Sequence, residues 1–233
     1  MKSDAMRRYE LVAFGQPVRE AVKPLPSPAG TEVLLKVDAC GVCHSDLHLA
    51  EGHFDLGRGQ RFDLSRSMSL PHVLGHEIVG TVAAAGPDAG EVSEGERRLV
   101  FPWIGCGECG LGRSGEEHLC ARPRALGISA AGGFGTHVVV PHPRYLIDFG
   151  DLDERLACTY ACSGLTAFSA LRKAGPLRPG DAVLIIGAGG VGLAAVHLAP
   201  DALGAAPMVA DLDPAKREAA LAAGAAEAVD PAD

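Results

Sequence analysis

The chain has 233 residues, 47% apolar and 21% charged, with 21 Lys and Arg against 29 Asp and Glu for a formal charge of −8. That balance belongs to a globular protein long enough for one large domain or two modest ones, each with its own core. An acidic chain without a Lys/Arg cluster excludes nucleic acid as a partner, because neutralising phosphates needs a basic face.

The opening MKSDAMRRYELV has neither an apolar stretch nor a small-residue cleavage site, so secretion is not expected and the reading is cytoplasmic. Short apolar or alternating runs at 9–14, 33–37, 78–84, 98–101 and 136–140, mostly bounded by Gly, Pro or Asp, predict strands. The long polar connections between them, 51–71 and 105–127, are of a kind that compact domains keep for function or for a metal. From about Asp151 the texture turns Ala-rich and helical. There 165–174 predicts a helix, 177–181 a turn, 182–187 a fully buried strand, 191–198 a helix that Pro200 ends early, and 207–211 a second strand. A further helix at 214–223 has Asp213 as its N-cap and Pro214 at its first position. The fold class is therefore α/β, with a β-rich domain over 1–150 followed by a strand–helix–strand domain over 151–233. The run 182–199 carries no formal charge, but four glycines interrupt it; a strand, a turn and a helix account for it better than a membrane span.

The strand at 182–187 runs into Gly187-Ala188-Gly189-Gly190-Val191-Gly192, which matches G-x-G-x-x-G, and an acid, Asp211, ends the next strand. In that context Gly187 permits the tight turn, Gly189 lets backbone N–H groups approach a pyrophosphate, and Gly192 allows close helix–strand packing. The following helix offers its N-terminal N–H groups to phosphates. Asp211 would accept hydrogen bonds from ribose hydroxyls and repel a 2′-phosphate, which favours NAD over NADP.

Seven cysteines, an odd number, cluster at 40 and 43, at 106, 109 and 120, and at 158 and 162, a distribution that points to metal or redox chemistry rather than disulfides. Cys40-Gly-Val-Cys43-His44-Ser45-Asp46-Leu47-His48 packs two thiols and two imidazoles together, while His76-Glu77 pairs an imidazole with a carboxylate and Cys162 opens Cys-Ser-Gly-Leu-Thr. No local zinc-finger spacing joins them, so spacing alone leaves their grouping open.

Taken in order, Gly-Val-Cys-His-Ser-Asp-Leu-His, Gly-His-Glu, Gly-Cys-Gly-Glu-Cys, Cys-Ser-Gly-Leu-Thr and the glycine motif resemble the zinc-dependent alcohol dehydrogenases of the medium-chain dehydrogenase/reductase superfamily, from about residue 9 to the last residue. The resemblance implies a GroES-like catalytic domain over 1–150 and a partial Rossmann NAD-binding domain over 151–233. It implies that Cys43, His76 and Cys162 ligate a catalytic zinc (Zn2+), with Glu77 as a transient ligand and Asp46 orienting His76. Ser45 and His48 fall at the proton relay, Thr166 near the nicotinamide, Lys216 near the adenosine ribose, and Gly190 and Val191 within the phosphate loop. Cys40 and Cys158 have no family role and read as buried thiols. Cys106, Cys109 and Cys120 match three of four structural-zinc cysteines, but Gly112 stands at the fourth, so a vestigial site with weak or absent zinc is expected unless His118 or water completes it.

The implied reaction is NAD-linked oxidation of a small-molecule alcohol to an aldehyde or ketone, with a homodimer or homotetramer expected for full-length relatives. A polyol or sugar-alcohol dehydrogenase and a non-catalytic zinc-thiolate/NAD-binding protein are the rival readings. The stretch 55–69, with Arg58, Arg61 and Arg66 against Asp55 and Asp63, is longer than in common members and reads as a surface excursion or a rim over the cleft. Trp103 and Phe54 read as core or as pocket walls. Family members continue well past the third strand that begins at Ala228-Val229, so little turnover is expected from these residues alone.

Overall fold

A computed structural model describes residues 5–65, 68–178 and 181–232 of the chain. The strand-forming runs build one unit, Met1–Ala161, and the Ala-rich remainder a second, Cys162–Asp233. In chain order the first unit comprises β1 (Ala5–Leu11), β2 (Arg19–Pro24), β3 (Val33–Gly41), α1 (His44–Glu51), β4 (His53–Gly57), β5 (Gln60–Asp63) and β6 (His72–Val73). It continues with β7 (Glu77–Ala85), β8 (Arg97–Val100), α2 (Gly110–Arg113), β9 (His137–Val140), β10 (Leu146–Ile147) and α3 (Glu154–Ala157).

Its main sheet is antiparallel, in the order β10-β8-β7-β3-β9, beside a smaller β2-β1-β6 sheet. Alternation sends Val33 and Leu35 of β3, Ile78 and Val82 of β7, Val100 and Val140 into one core with Tyr145. On β7 and β8 the other face is buried too: Val79 and Leu99 pack against Ala157, Cys158 and Ala161. This packing moves the unit boundary from the expected 150 to 161, because α3 and the 3-10 turn Cys158–Ala161 close over the sheet.

The second unit comprises α4 (Ser163–Ala174), β11 (Val183–Ile186), α5 (Gly190–Leu203), β12 (Pro207–Ala210), α6 (Pro214–Ala222) and β13 (Glu227–Val229). Its strands are parallel, in the order β11-β12-β13, each joined to the next by a helix, which is the first half of a doubly wound sheet. Asp213 caps α6 as expected, its Oδ1 accepting from the Ala215 N–H at 2.9 Å.

Several expectations change. Strand β11 is not fully buried: Val183 and Ile185 pack with the α4–α5 residues, but alternation turns Leu184 and Ile186 outward, and Ile186 is 83% exposed. Helix α5 does not stop before Pro200 but runs one turn past it. Pro200 removes one hydrogen bond, yet Gly204 closes the helix by donating to the Pro200 carbonyl, and Ala202 and Leu203 pack with Ala167 and Leu171 of α4. The polar connection 51–71 contains the hairpin β4–β5, turned through Arg58 and Gly59, both with positive φ; Arg66 lies outside the described residues. Among the described residues, no helix is long and apolar enough to cross a membrane.

Candidate metal centre and cofactor loop

The centre of the first unit is organised by one buried carboxylate. Cys43 caps α1, and its N–H donates to Asp46 Oδ2 at 2.9 Å. The other oxygen of Asp46 accepts from the Gly75 N–H at 3.1 Å and faces His76 Nδ1 at 3.3 Å. Asp46 therefore ties the segment carrying Cys43 to the turn carrying His76 and turns the imidazole so that Nε2 looks away from it. Cys43, His76 and Glu77 each bring a ligand atom within 4.8 Å of the others. His76 is fully buried, and its Nε2 has no hydrogen-bond partner in the protein. An imidazole nitrogen left unpaired in the interior is costly unless something absent from the chain pairs it. Burial alone would lower the His76 pKa; the Asp46 carboxylate and the Cys43 sulfur outweigh it and hold it at about 9.

A glycine-rich segment clamps the turn that carries His76. Gly132, Gly133 and Phe134 donate to the carbonyls of Val73, Gly75 and Leu74, and a Cβ on Gly132 would lie 2.2 Å from the Gly75 oxygen. Trp103 tilts against the His76 ring, with centroids 5.7 Å apart, and donates its indole N–H to the Ala161 carbonyl at 2.8 Å. Cys162 follows Ala161 directly and opens the second unit as the N-cap of α4.

The other expected residues occupy distinct places. Ser45 and His48 lie one turn apart on α1, where the His48 ring packs 5.0 Å from both His44 and Phe54. Phe54 thus lies beside the candidate relay. In the second unit Gly187 has φ +94°, and a Cβ on Gly192 would lie 1.9 Å from the Gly187 oxygen, so the loop folds only with glycine at both positions. Asp211 Oδ2 accepts from the Ala188 N–H at 2.8 Å and Oδ1 from the Asp213 N–H at 2.9 Å, which places the acid against the glycine loop. Those donors, Ala188 first, depress its pKa, with Lys216 and Arg217 adding to the effect. Thr166 is exposed on α4, with its N–H bonded to the Cys162 carbonyl. Burial pushes the Cys40 and Cys158 thiols up, so both remain protonated.

Between β8 and β9, Cys106, Cys109 and Cys120 bring their sulfurs within 4.8 Å of one another, and Cys109 Sγ lies 3.8 Å from Cys120 Sγ. Backbone N–H groups point at these sulfurs: Cys106 and Arg122 donate to Cys120 Sγ at 3.3 and 3.4 Å, and Gly112 to Cys109 Sγ at 3.3 Å. The N–H groups of Glu108 and Cys109, helped by the Cys120 thiol, lower the Cys106 pKa to about 6. His118 does not join the sulfurs; its Nε2 lies 3.5 Å from Glu116 Oε2.

The alcohol dehydrogenase GroES-like domain matches residues 29–151, more than half of the chain. The chain belongs to the alcohol dehydrogenase family. This alcohol dehydrogenase family member is 40% identical over 221 residues to the NAD-dependent alcohol dehydrogenase of Sulfurisphaera tokodaii, covering 94% of this chain and 62% of the relative. It is 33% identical over 196 residues to the L-galactonate-5-dehydrogenase of Escherichia coli, covering 84% and 53%. It superimposes on the crystal structure of the alcohol dehydrogenase from Aeropyrum pernix with a TM-score of 0.83 at 28% identity, covering 96% of this chain and 64% of that one. The chain therefore spans less than two thirds of the length of these relatives.

Within this family member, the first unit gathers Cys43, Asp46, His76 and Glu77, and the second gathers the glycine loop and Asp211. Sequence reasoning missed the glycine clamp and the double contact of Trp103. The density of glycine at 127, 132, 133 and 135 was the available signal for the clamp.

Proposed function

We propose that this chain carries the catalytic-metal domain and the adenosine-binding half of an NAD-linked, zinc-dependent alcohol dehydrogenase that oxidises an alcohol to an aldehyde or ketone. The observation that carries the reading is His76 Nε2, buried without a partner beside the Cys43 sulfur and the Glu77 carboxylate. A nitrogen and thiolate set of this kind suits zinc, and Cys43, His76 and Cys162 would hold it as a Cys₂His site with one position open. When bound, zinc supplies a Lewis acid that eases loss of the substrate hydroxyl proton, and NAD⁺ supplies the hydride acceptor.

The chain's own groups do the rest. Asp46 fixes the orientation of the His76 ring and the position of Cys43 through its three contacts. Ser45 accepts the hydroxyl proton, and His48, one helical turn away and partly exposed, passes it to solvent. Gly187, Gly189, Gly190, Val191 and Gly192 would bring backbone N–H groups to the pyrophosphate at the start of α5. Asp211 spends one lone pair of each oxygen on backbone N–H groups and keeps the others for ribose hydroxyls, with Lys216 nearby. Thr166 would contact the nicotinamide side of the cofactor, as the family resemblance implies.

A second reading, oxidation of a polyol or sugar acid on the same residues, draws support from the similarity to the L-galactonate-5-dehydrogenase of E. coli. Metal analysis and NADH formation test both. The protein containing this chain is expected to hold zinc that is lost in Cys43→Ser and His76→Ala, and to form NADH with members of a panel of simple alcohols and polyols. Full activity in a zinc-free His76→Ala variant would refute the metal role, and the preferred class of substrate separates the two readings.

A further inference from the structure

The reaction proposed above makes no use of the three-thiol lobe. A structural zinc needs four ligands in a tetrahedron, and the lobe offers three. The missing corner falls at Gly112, where a Cβ would find its nearest atom, Cys109 Sγ, at 3.6 Å, and His118 is turned to Glu116. The donor set does not fit a structural zinc. Protein groups hold the lobe instead: Glu117 Oε2 accepts from the Gly105 N–H at 3.1 Å and from the Tyr145 hydroxyl at 2.8 Å, while Arg144 pairs with Oε1 at 2.8 Å. Three sulfurs within 4.8 Å thus sit in a loop that these protein contacts help to close.

We propose that this lobe is an oxidation site, at which a peroxide converts two of its three thiols to a disulfide. One of the three supplies the attacking thiolate: backbone N–H groups of Cys106 and Arg122 reach Cys120 Sγ at 3.3 and 3.4 Å and that of Gly112 reaches Cys109 Sγ at 3.3 Å, donors that favour negative charge on sulfur. The attacking sulfur takes one peroxide oxygen as the O–O bond breaks, and the departing oxygen leaves as water, or as an alcohol from an alkyl peroxide. The resulting sulfenic acid gives up its oxygen as a second water when a neighbouring thiol of the three attacks it and the S–S bond forms. Two thiols lose two electrons and two protons, and one peroxide is fully reduced. The remaining thiol exchanges with the disulfide, so the bond distributes among the three cysteines.

The test is disulfide mapping by mass spectrometry after stoichiometric hydrogen peroxide, with a count of free thiols. The expected result is loss of two thiols and about 2 Da per chain, confined to peptides containing Cys106, Cys109 and Cys120 and reversed by dithiothreitol. Gly112→Cys completes a four-thiolate site, since its new side chain meets only ordinary contacts; it gains a tightly held zinc and loses peroxide sensitivity. The proposal is overturned if the lobe of the unsubstituted protein already holds a tight zinc that persists in Cys43→Ser. It is equally overturned if peroxide oxidises other cysteines and leaves these three reduced. Should Gly112→Cys not fold, the mapping on the unsubstituted protein still decides.

Discussion

Replacing Asp46 by alanine removes a group that contacts both segments of the candidate centre. Asp46 is 2% exposed and receives the Cys43 and Gly75 N–H groups while facing His76 Nδ1. Hydrogen bonds to a charged group contribute about 1.5–3 kcal/mol each, and truncating one side of a buried polar cluster typically costs about 3–5 kcal/mol. Two donated N–H groups left bare in the interior therefore place the expected loss at about 4 kcal/mol. That is a large share of the roughly 5–15 kcal/mol that holds a domain together, and corresponds to a fall in Tm of about 10 °C. The same truncation frees the His76 ring to rotate, and loss of such an orienting group lowers metal affinity by about 10–100-fold. Chemical denaturation of the metal-free protein measures the first effect, and competition with a chromophoric zinc chelator the second. Asp46→Asn keeps the volume and one acceptor oxygen, so it should lose less stability while still weakening zinc. An alanine variant that melts within about 2 °C of the parent and binds zinc as tightly would show that the carboxylate does not organise the centre.

Three further outcomes follow from other contacts. Gly192→Ala puts a methyl group 1.9 Å from the Gly187 oxygen, so the loop must open; the expected cost is about 1–3 kcal/mol, with weakened NAD binding by calorimetric titration. Burial opposes ionisation of Glu117, but the Gly105 N–H, the Tyr145 hydroxyl and Arg144 outweigh it and depress its pKa below the ordinary 4.5. Its contribution is thus complete above pH 4.5 and lost as the pH falls through the depressed value; Glu117→Gln should flatten the acid limb of a Tm-against-pH curve, and an unchanged limb would count against the network. Arg58, at φ 52°, occupies a turn position that asparagine tolerates better, so Arg58→Asn should raise stability by about 0.5 kcal/mol in urea titrations.

Strands with one apolar face were legible to within a few residues: β3, β7 and β9 announce themselves through alternating Val, Leu and Ile. Strand β2, REAVKP, was not, because an exposed edge strand needs no apolar face and gives no period to read. The hairpin β4–β5 was missed for a related reason: its turn is Arg-Gly rather than Asn-Gly, and its strands are largely exposed. Pro200 misled in the other direction, since packing of Ala202 and Leu203 carried α5 past a residue that local propensity would have made its end. At the centre, Cys43 and His76 could be picked out by residue type and order. The bond from Asp46 to the Gly75 N–H could not, because it joins positions 29 apart in sequence and depends on the tertiary fold.

Trp103 is the single tryptophan of the chain, and its ring lies against His76 while its N–H holds the carbonyl of Ala161. The indole emission of these 233 residues therefore comes from one place, the wall of the candidate metal centre. Loading or stripping a cation at His76 changes the polarity and charge beside that chromophore, and an open-shell cation in place of zinc would quench it at close range. A fluorescence trace of this chain, with no label attached, reads metal occupancy and local opening at the same point.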